Sequence, residues 1–92
     1  MAQSRDEYRA DMDLLRNWLD ECCDVGAEHA DTLVNLWASW ESFARQRGEL
    51  RYVSSSRLLA QRLAHRFVSI KHMPGANGAR GWRGLRVRDG LG

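Results

Sequence analysis

Arg57, Gln61 and His65 follow one another at four-residue spacing within the stretch Ser54 to Phe67, SSSRLLAQRLAHRF, with Arg62 and Arg66 beside them. In a helix this spacing sets them on one arc, facing away from a second arc of Ser56, Leu59, Ala60, Leu63, Ala64 and Phe67. The first arc has the chemistry of polyanion recognition. Arg pairs bidentately with phosphate or guanine and Gln with adenine, while serine hydroxyls and free N–H groups at a helix start bind phosphate. Ser55, Ser56, Arg57, Gln61 and Arg62 are therefore the candidate DNA-facing residues of this segment, and His65, one turn beyond Gln61, adds a phosphate contact. The alternative is a solvated helix face, but such faces usually mix both signs of charge. Here nine Lys and Arg lie between Arg51 and Arg88 with no Asp or Glu among them.

The net charge of +2 conceals this segregation: residues 1–31 hold three Arg against nine Asp and Glu, and residues 32–92 hold eleven Lys and Arg against three acids. A net −6 half is followed by a net +8 half. Positive potential concentrated in this way attracts a polyanionic partner, and double-stranded DNA is the expected one.

The elements that must carry these residues follow from periodicity. From Asp6 to Cys22 the apolar positions Tyr8, Met12, Leu15, Leu19 and Cys22 step by 4, 3, 4 and 3, widened by Leu14 and Trp18, which predicts a first amphipathic helix over about 6–23. Asp24, Val25 and Gly26 interrupt it, and a short segment around Ala27 to Ala30 has room for a short strand. A second helix is predicted over about 31–47, with Asp31 as N-cap, Leu33, Leu36, Trp37, Trp40, Phe43 and Ala44 inward, and Gly48 as C-cap glycine. One of the three serines caps a third helix over about 55–66. After Phe67 the period falls to 2, with Val68 and Ile70, then Leu85 and Val87, alternating with polar residues or glycine. The Asn77-Gly78 pair between them signals a hairpin over about 68–88, because both residues tolerate positive φ. Asp89 to Gly92 reads as a frayed tail.

Three helices with a hairpin folded against them predict a mainly α, winged helix-turn-helix domain in one unit of 92 residues. The third helix would enter the major groove, and the hairpin would be a wing carrying Lys71, Arg80 and Arg83 near its tip. Trp18, Trp37 and Trp40 fall on or beside core stripes. Trp82, between Arg80 and Arg83, is expected to clamp the wing to the body rather than to stack on nucleic acid.

Other function classes lack their signatures. There is no G-x-x-x-x-G-K-[ST], H-E-x-x-H or G-x-S-x-G, and the glycines of GANGARG are wrongly spaced for a dinucleotide loop. No enzymatic activity, cofactor or small-molecule substrate is expected. Cys22 and Cys23 are adjacent, cannot bridge without strain, and read as thiols, Cys22 as a small buried hydrophobe. With His29 they lack the ligand pairs of a structural zinc site. No apolar run reaches the roughly 18 residues of a membrane span, and MAQSRDEYRADMD has no signal-peptide h-region, so a soluble cytoplasmic protein without membrane contact is expected.

Taken together, EYRADMDLLRNWLDECC, LVNLWASWESFARQRG, SSRLLAQRLAHRF and GARGWRGLRVRD resemble, in order and spacing, the C-terminal domain of phage and plasmid-type primase-helicases. The resemblance spans nearly the whole chain. It implies a noncatalytic winged-helix module that recognises a replication origin for a larger protein whose primase and ATPase parts lie elsewhere. Carried over by position, it assigns DNA contact to Ser55, Ser56, Arg57, Gln61 and Arg62 and, on the wing, to Lys71, Arg80 and Arg83. Phe67-Val68 stands where that family often has Gly-Phe. Two other functions are compatible with the same pattern: a free-standing transcriptional regulator self-associating through the first-helix stripe, and a protein-interaction module docking its acidic first helix on a partner, such as the rest of a replication protein.

Overall fold

The computed structural model describes residues 5–73, 75 and 77–88. The elements run α1 (Arg5–Cys22), β1 (Cys23–Thr32), α2 (Leu33–Gln46), a 3-10 turn (Leu50–Tyr52), α3 (Ser56–Leu63), β2 (Val68–Ile70) and β3 (Gly81–Val87). Three helices thus pack with a three-stranded antiparallel sheet of order β1-β3-β2. The expected tail at 89–92 and the side chain of Tyr8 lie outside what is described.

The core joins one face of each helix to one face of the sheet. On α1 the buried stripe is Leu14, Leu15, Trp18 and Leu19, with Met12 and Cys22 at its margin. Leu36, Trp40, Phe43 and Ala44 come from α2, Leu59, Ala60 and Leu63 from α3, and Trp82 and Leu85 from β3. Trp18 and Trp40 meet edge to face, their ring centroids 5.7 Å apart at 83°. Both of these indole N–H groups are satisfied, Trp18 Nε1 donating to Ser39 Oγ at 3.0 Å and Trp40 Nε1 to the Val53 carbonyl at 2.9 Å.

The helix ends obey local chemistry, with shifts. The N-cap of α2 is Thr32, not Asp31: Thr32 Oγ1 accepts from Asn35 N at 3.2 Å. The Asp31 carboxylate instead accepts from Thr32 N at 2.8 Å, Asn35 Nδ2 at 3.0 Å and Val87 N at 2.9 Å, tying the start of α2 to β3. Gly48 closes α2 with φ +68, letting its N–H reach the Arg45 carbonyl and the Glu49 N–H the Ala44 carbonyl, the paired bonds of a Schellman motif. The connection 47–55 is longer than the three- or four-residue turn of a tight helix-turn-helix, and the fully buried Val53 anchors it.

Three expectations need correction. The segment after α1 is a ten-residue strand, not a short one or an interruption. It is an edge strand with a slipped register: Cys23–Val25 pair with Leu85–Val87, Ala30–Thr32 pair with Gly81–Arg83, and five steps of β1 stand against two of β3 in between. Apolar and polar residues therefore alternate only over Cys23–Val25, before the slip, and not along the rest of the strand. The third helix ends at Leu63, not 66, because His65 and Arg66 donate to the carbonyls three residues back, tightening the chain out of α-geometry. Finally, the hairpin is short. Only Val68–Ile70 pair with Gly81–Arg83, the rest of β3 belongs to β1, and in the connection between β2 and β3 Asn77 and Gly78 take the expected positive φ of +55 and +74.

Candidate nucleic-acid interface

Ser55 is the serine that caps α3, its Oγ accepting from Leu58 N at 3.2 Å. The cap fixes Ser56 and Arg57 in the first helical turn, where they border a cleft of about 490 Å³ between α3 and the sheet. Gln61 continues the same wall one turn on; Ser69 of β2, Arg80 and Trp82 form the other. Arg80 is held by its backbone, since its carbonyl accepts from Leu33 N, the first residue of α2, at 2.9 Å.

The structure therefore unites Ser56, Arg57, Gln61 and Arg80 around one opening, whereas other predicted residues lie apart. Arg62 leaves the opposite flank of α3 and walls a hollow against α1 with Leu15, Leu19, Arg16 and Arg66; it is half-buried and already engaged within the fold. Helical spacing alone places it alongside Arg57. His65 is exposed in the tightened turn after α3, beyond the helical arc on which it was expected. Lys71 is exposed at the start of the loop. Arg83 is not near the tip of the hairpin: it lies within β3 opposite Val68, and because Trp82 next to it is buried, alternation turns Arg83 to the outer face of the sheet. Trp82 itself is 2% exposed, a packed anchor between strand and helix, as the clamp reading expects.

Ion pairing divides the cations into two sets. Arg45 pairs with Glu41 at 3.1 Å, Arg47 with Glu21 at 2.8 Å, and Arg88 and Arg86 with Asp24 at 3.1 and 3.7 Å. Arg57, Lys71, Arg80 and Arg83, toward α3 and the hairpin, are all exposed and form no ion pair among the described residues; the same holds for Arg16 and Arg66 on the α1 flank. The hydrogen bond from Arg88, reinforced by the charges of Arg88 and Arg86, holds the Asp24 carboxyl below its ordinary value.

The cysteines exchange the roles expected of them. Cys23, not Cys22, is the buried one; burial, with smaller contributions from Cys22 and Asp31, pushes its thiol up to about 12. Cys22 is half-buried and also raised, chiefly by burial. Among the described residues no three His, Cys, Asp or Glu side chains converge as metal ligands, and no helix is long and apolar enough to cross a membrane.

Sequence reasoning missed Ser69, which reaches the cleft only because β2 pairs it with Trp82, and the first residue of α2, Leu33, which also lines it. Neither carries a short-range signal. No protein-family model matches the chain, and none of the curated proteins or solved structures gives a match.

Proposed function

We propose that this chain is a noncatalytic module that binds duplex DNA as a winged helix, with α3 toward the major groove and the 71–80 loop and its strands as the wing. The observation that carries the reading is the sorting of the cations. Acidic residues hold those of α2 and the end of β3, while Arg57, Lys71, Arg80 and Arg83, on α3 and the hairpin, are left for an external anion. The order helix, strand, helix, helix, strand, strand, with the hairpin beside the third helix, supports the winged-helix layout. Origin recognition for a larger primase-helicase is the role that the sequence resemblance adds. The regulator reading is weaker, because Leu15 and Leu19, in the stripe that would supply a dimer interface, are buried in this chain's own core.

The test is fluorescence anisotropy of a labelled random-sequence duplex over a salt series. Three or four phosphates neutralised give a slope of log Kobs against log salt of about −2.7 to −3.6. Arg57→Glu should abolish binding, while Arg45→Gln, on the ion-paired side, should leave it within about twofold. No binding at low salt, or equal losses for the two variants, would end the DNA reading.

A further inference from the structure

We propose that the cleft between α3 and the β2–β3 wall is a preformed seat for a single phosphate group, gripped jointly by Arg57 and Arg80; taking that group to be a backbone phosphodiester rests on the DNA reading above. Two helix starts converge there, Leu33 opening the 14-residue α2 and Ser56 opening the eight-residue α3. The start of α3 brings the partial positive charge of a helix N-terminus toward the opening, whereas that of α2 is already met by the Arg80 carbonyl and the Asp31 carboxylate. Arg57 enters from the helix wall and Arg80 from the strand wall, both exposed, and among the described residues neither is ion-paired and no Asp or Glu lines the cleft. The serines Ser56 and Ser69 supply hydroxyl donors.

An independent sign comes from Trp82. It is 2% exposed and lines the cleft, yet its buried Nε1 has no hydrogen-bond partner among the described residues, while the indoles of Trp18 and Trp40 are both satisfied. A buried donor without an acceptor is costly to leave unmade, and the ring that forms this wall carries such a donor. The two charged oxygens of a phosphodiester diverge tetrahedrally, so that one can face each wall, whereas the two of a carboxylate lie in one plane on the same side of their carbon. The seat is also rigid, because the Arg80 backbone is bonded to Leu33 N at 2.9 Å and the strand that follows is paired on both sides.

The consequence is that two cations share one phosphate. In the salt series, Arg57→Gln and Arg80→Gln singly should weaken binding yet leave the slope nearly unchanged, and the double variant should flatten it by about 0.9. Contacts to two separate phosphates would instead flatten it by about 0.9 each and about 1.8 together, which would overturn the seat while leaving DNA binding intact. A second arm uses dimethyl phosphate followed by the four indole N–H resonances. The Trp82 signal should move on titration while those of Trp18, Trp37 and Trp40 hold, and the double variant should lose the response. No Trp82 shift, or an equal shift with acetate, overturns the seat. A Trp82 shift in a protein that fails to bind duplex would uphold the seat and refute the DNA reading instead.

Discussion

Replacing Gly84 by Ala should be among the most damaging single-methyl additions this domain can receive. Gly84 holds φ +110, a backbone conformation open essentially to glycine alone, and a Cβ there would lie 2.8 Å from Phe67 Cδ1. The position is also structural. Trp82 and Leu85 are both buried although three residues apart, which a regular strand forbids; the irregularity at Gly84 resets the alternation so that both face the core. Backbone strain of this kind costs about 1–3 kcal/mol, overpacking against the ring about 1–3 more, and the stiffer unfolded chain returns about 0.4–1. The net loss is about 2–4 kcal/mol out of the roughly 5–14 that a domain of this size possesses. In thermal melts followed by circular dichroism, that corresponds to a fall in Tm of about 10–25 °C. The two causes separate in a double-mutant cycle, since Phe67→Leu relieves the ring overlap but not the backbone. It should recover about 1 kcal/mol in the Gly84→Ala background and no more. If Gly84→Ala melted within about 2 °C of wild type, or Phe67→Leu restored it fully, the assigned strand geometry would be wrong.

Other consequences follow from single groups. Ser55→Ala removes the cap of an eight-residue helix and should cost about 0.5–2 kcal/mol, with faster amide exchange at Leu58, whereas Ser54→Ala should be neutral. At pH 7.5 an alkylating reagent should modify Cys22 and spare Cys23, whose buried thiol is pushed up to about 12; equal rates by peptide mass mapping would contradict that burial. Asp24 carries a lowered folded pKa, so the stability it lends is present above its unfolded value and lost as pH falls through the folded one. The Tm difference between wild type and Arg88→Gln should therefore be full at pH 7 and narrow from about pH 3.8 downward. A constant or widening gap would mean that Asp24 is not the relevant partner.

What was legible in the sequence is what short-range physics decides. The apolar stripes of α1 and α2, Gly48 at the end of α2, a serine cap on α3 and the positive-φ pair Asn77-Gly78 all depend on residues within four or five places of each other. β1 was illegible because nothing local makes it a strand: its partners lie 49 to 64 residues away, its register slips, and one edge is unpaired, so no alternation is imposed along it. Arg62 was misplaced for a related reason. A helical wheel reports the angle from the core, but α3 has different neighbours on its two flanks, α1 on one and the sheet on the other. Residues at equal angles from the core then enter unlike surroundings.

The same non-locality decides how much of the positive charge can act on a partner. Nine basic residues between Arg51 and Arg88 would suggest nine phosphate contacts and a salt slope near −8. The fold brings the acidic first half against the basic end instead. Arg88 donates to Asp24 Oδ1 at 3.1 Å and to the carbonyls of Cys23, Glu21 and Asp20 at 2.9, 3.2 and 3.3 Å, so it closes the C-terminal end of α1, where cations are favoured. Arg86 is drawn to the same Asp24, Arg51 and Arg62 are engaged within the fold, and Arg66 lies 5.5 Å over the Phe67 ring on the α1 flank. On the side of α3 and the hairpin Arg57, Lys71, Arg80 and Arg83 remain, and if Arg57 and Arg80 share a phosphate the slope of that face falls to about −2.7. A measured slope of about −4.5 to −5.4 would mean that Arg86 and Arg88 leave Asp24 on binding, and the salt bridges that join the two halves of the chain would then be part of the switch rather than of the frame.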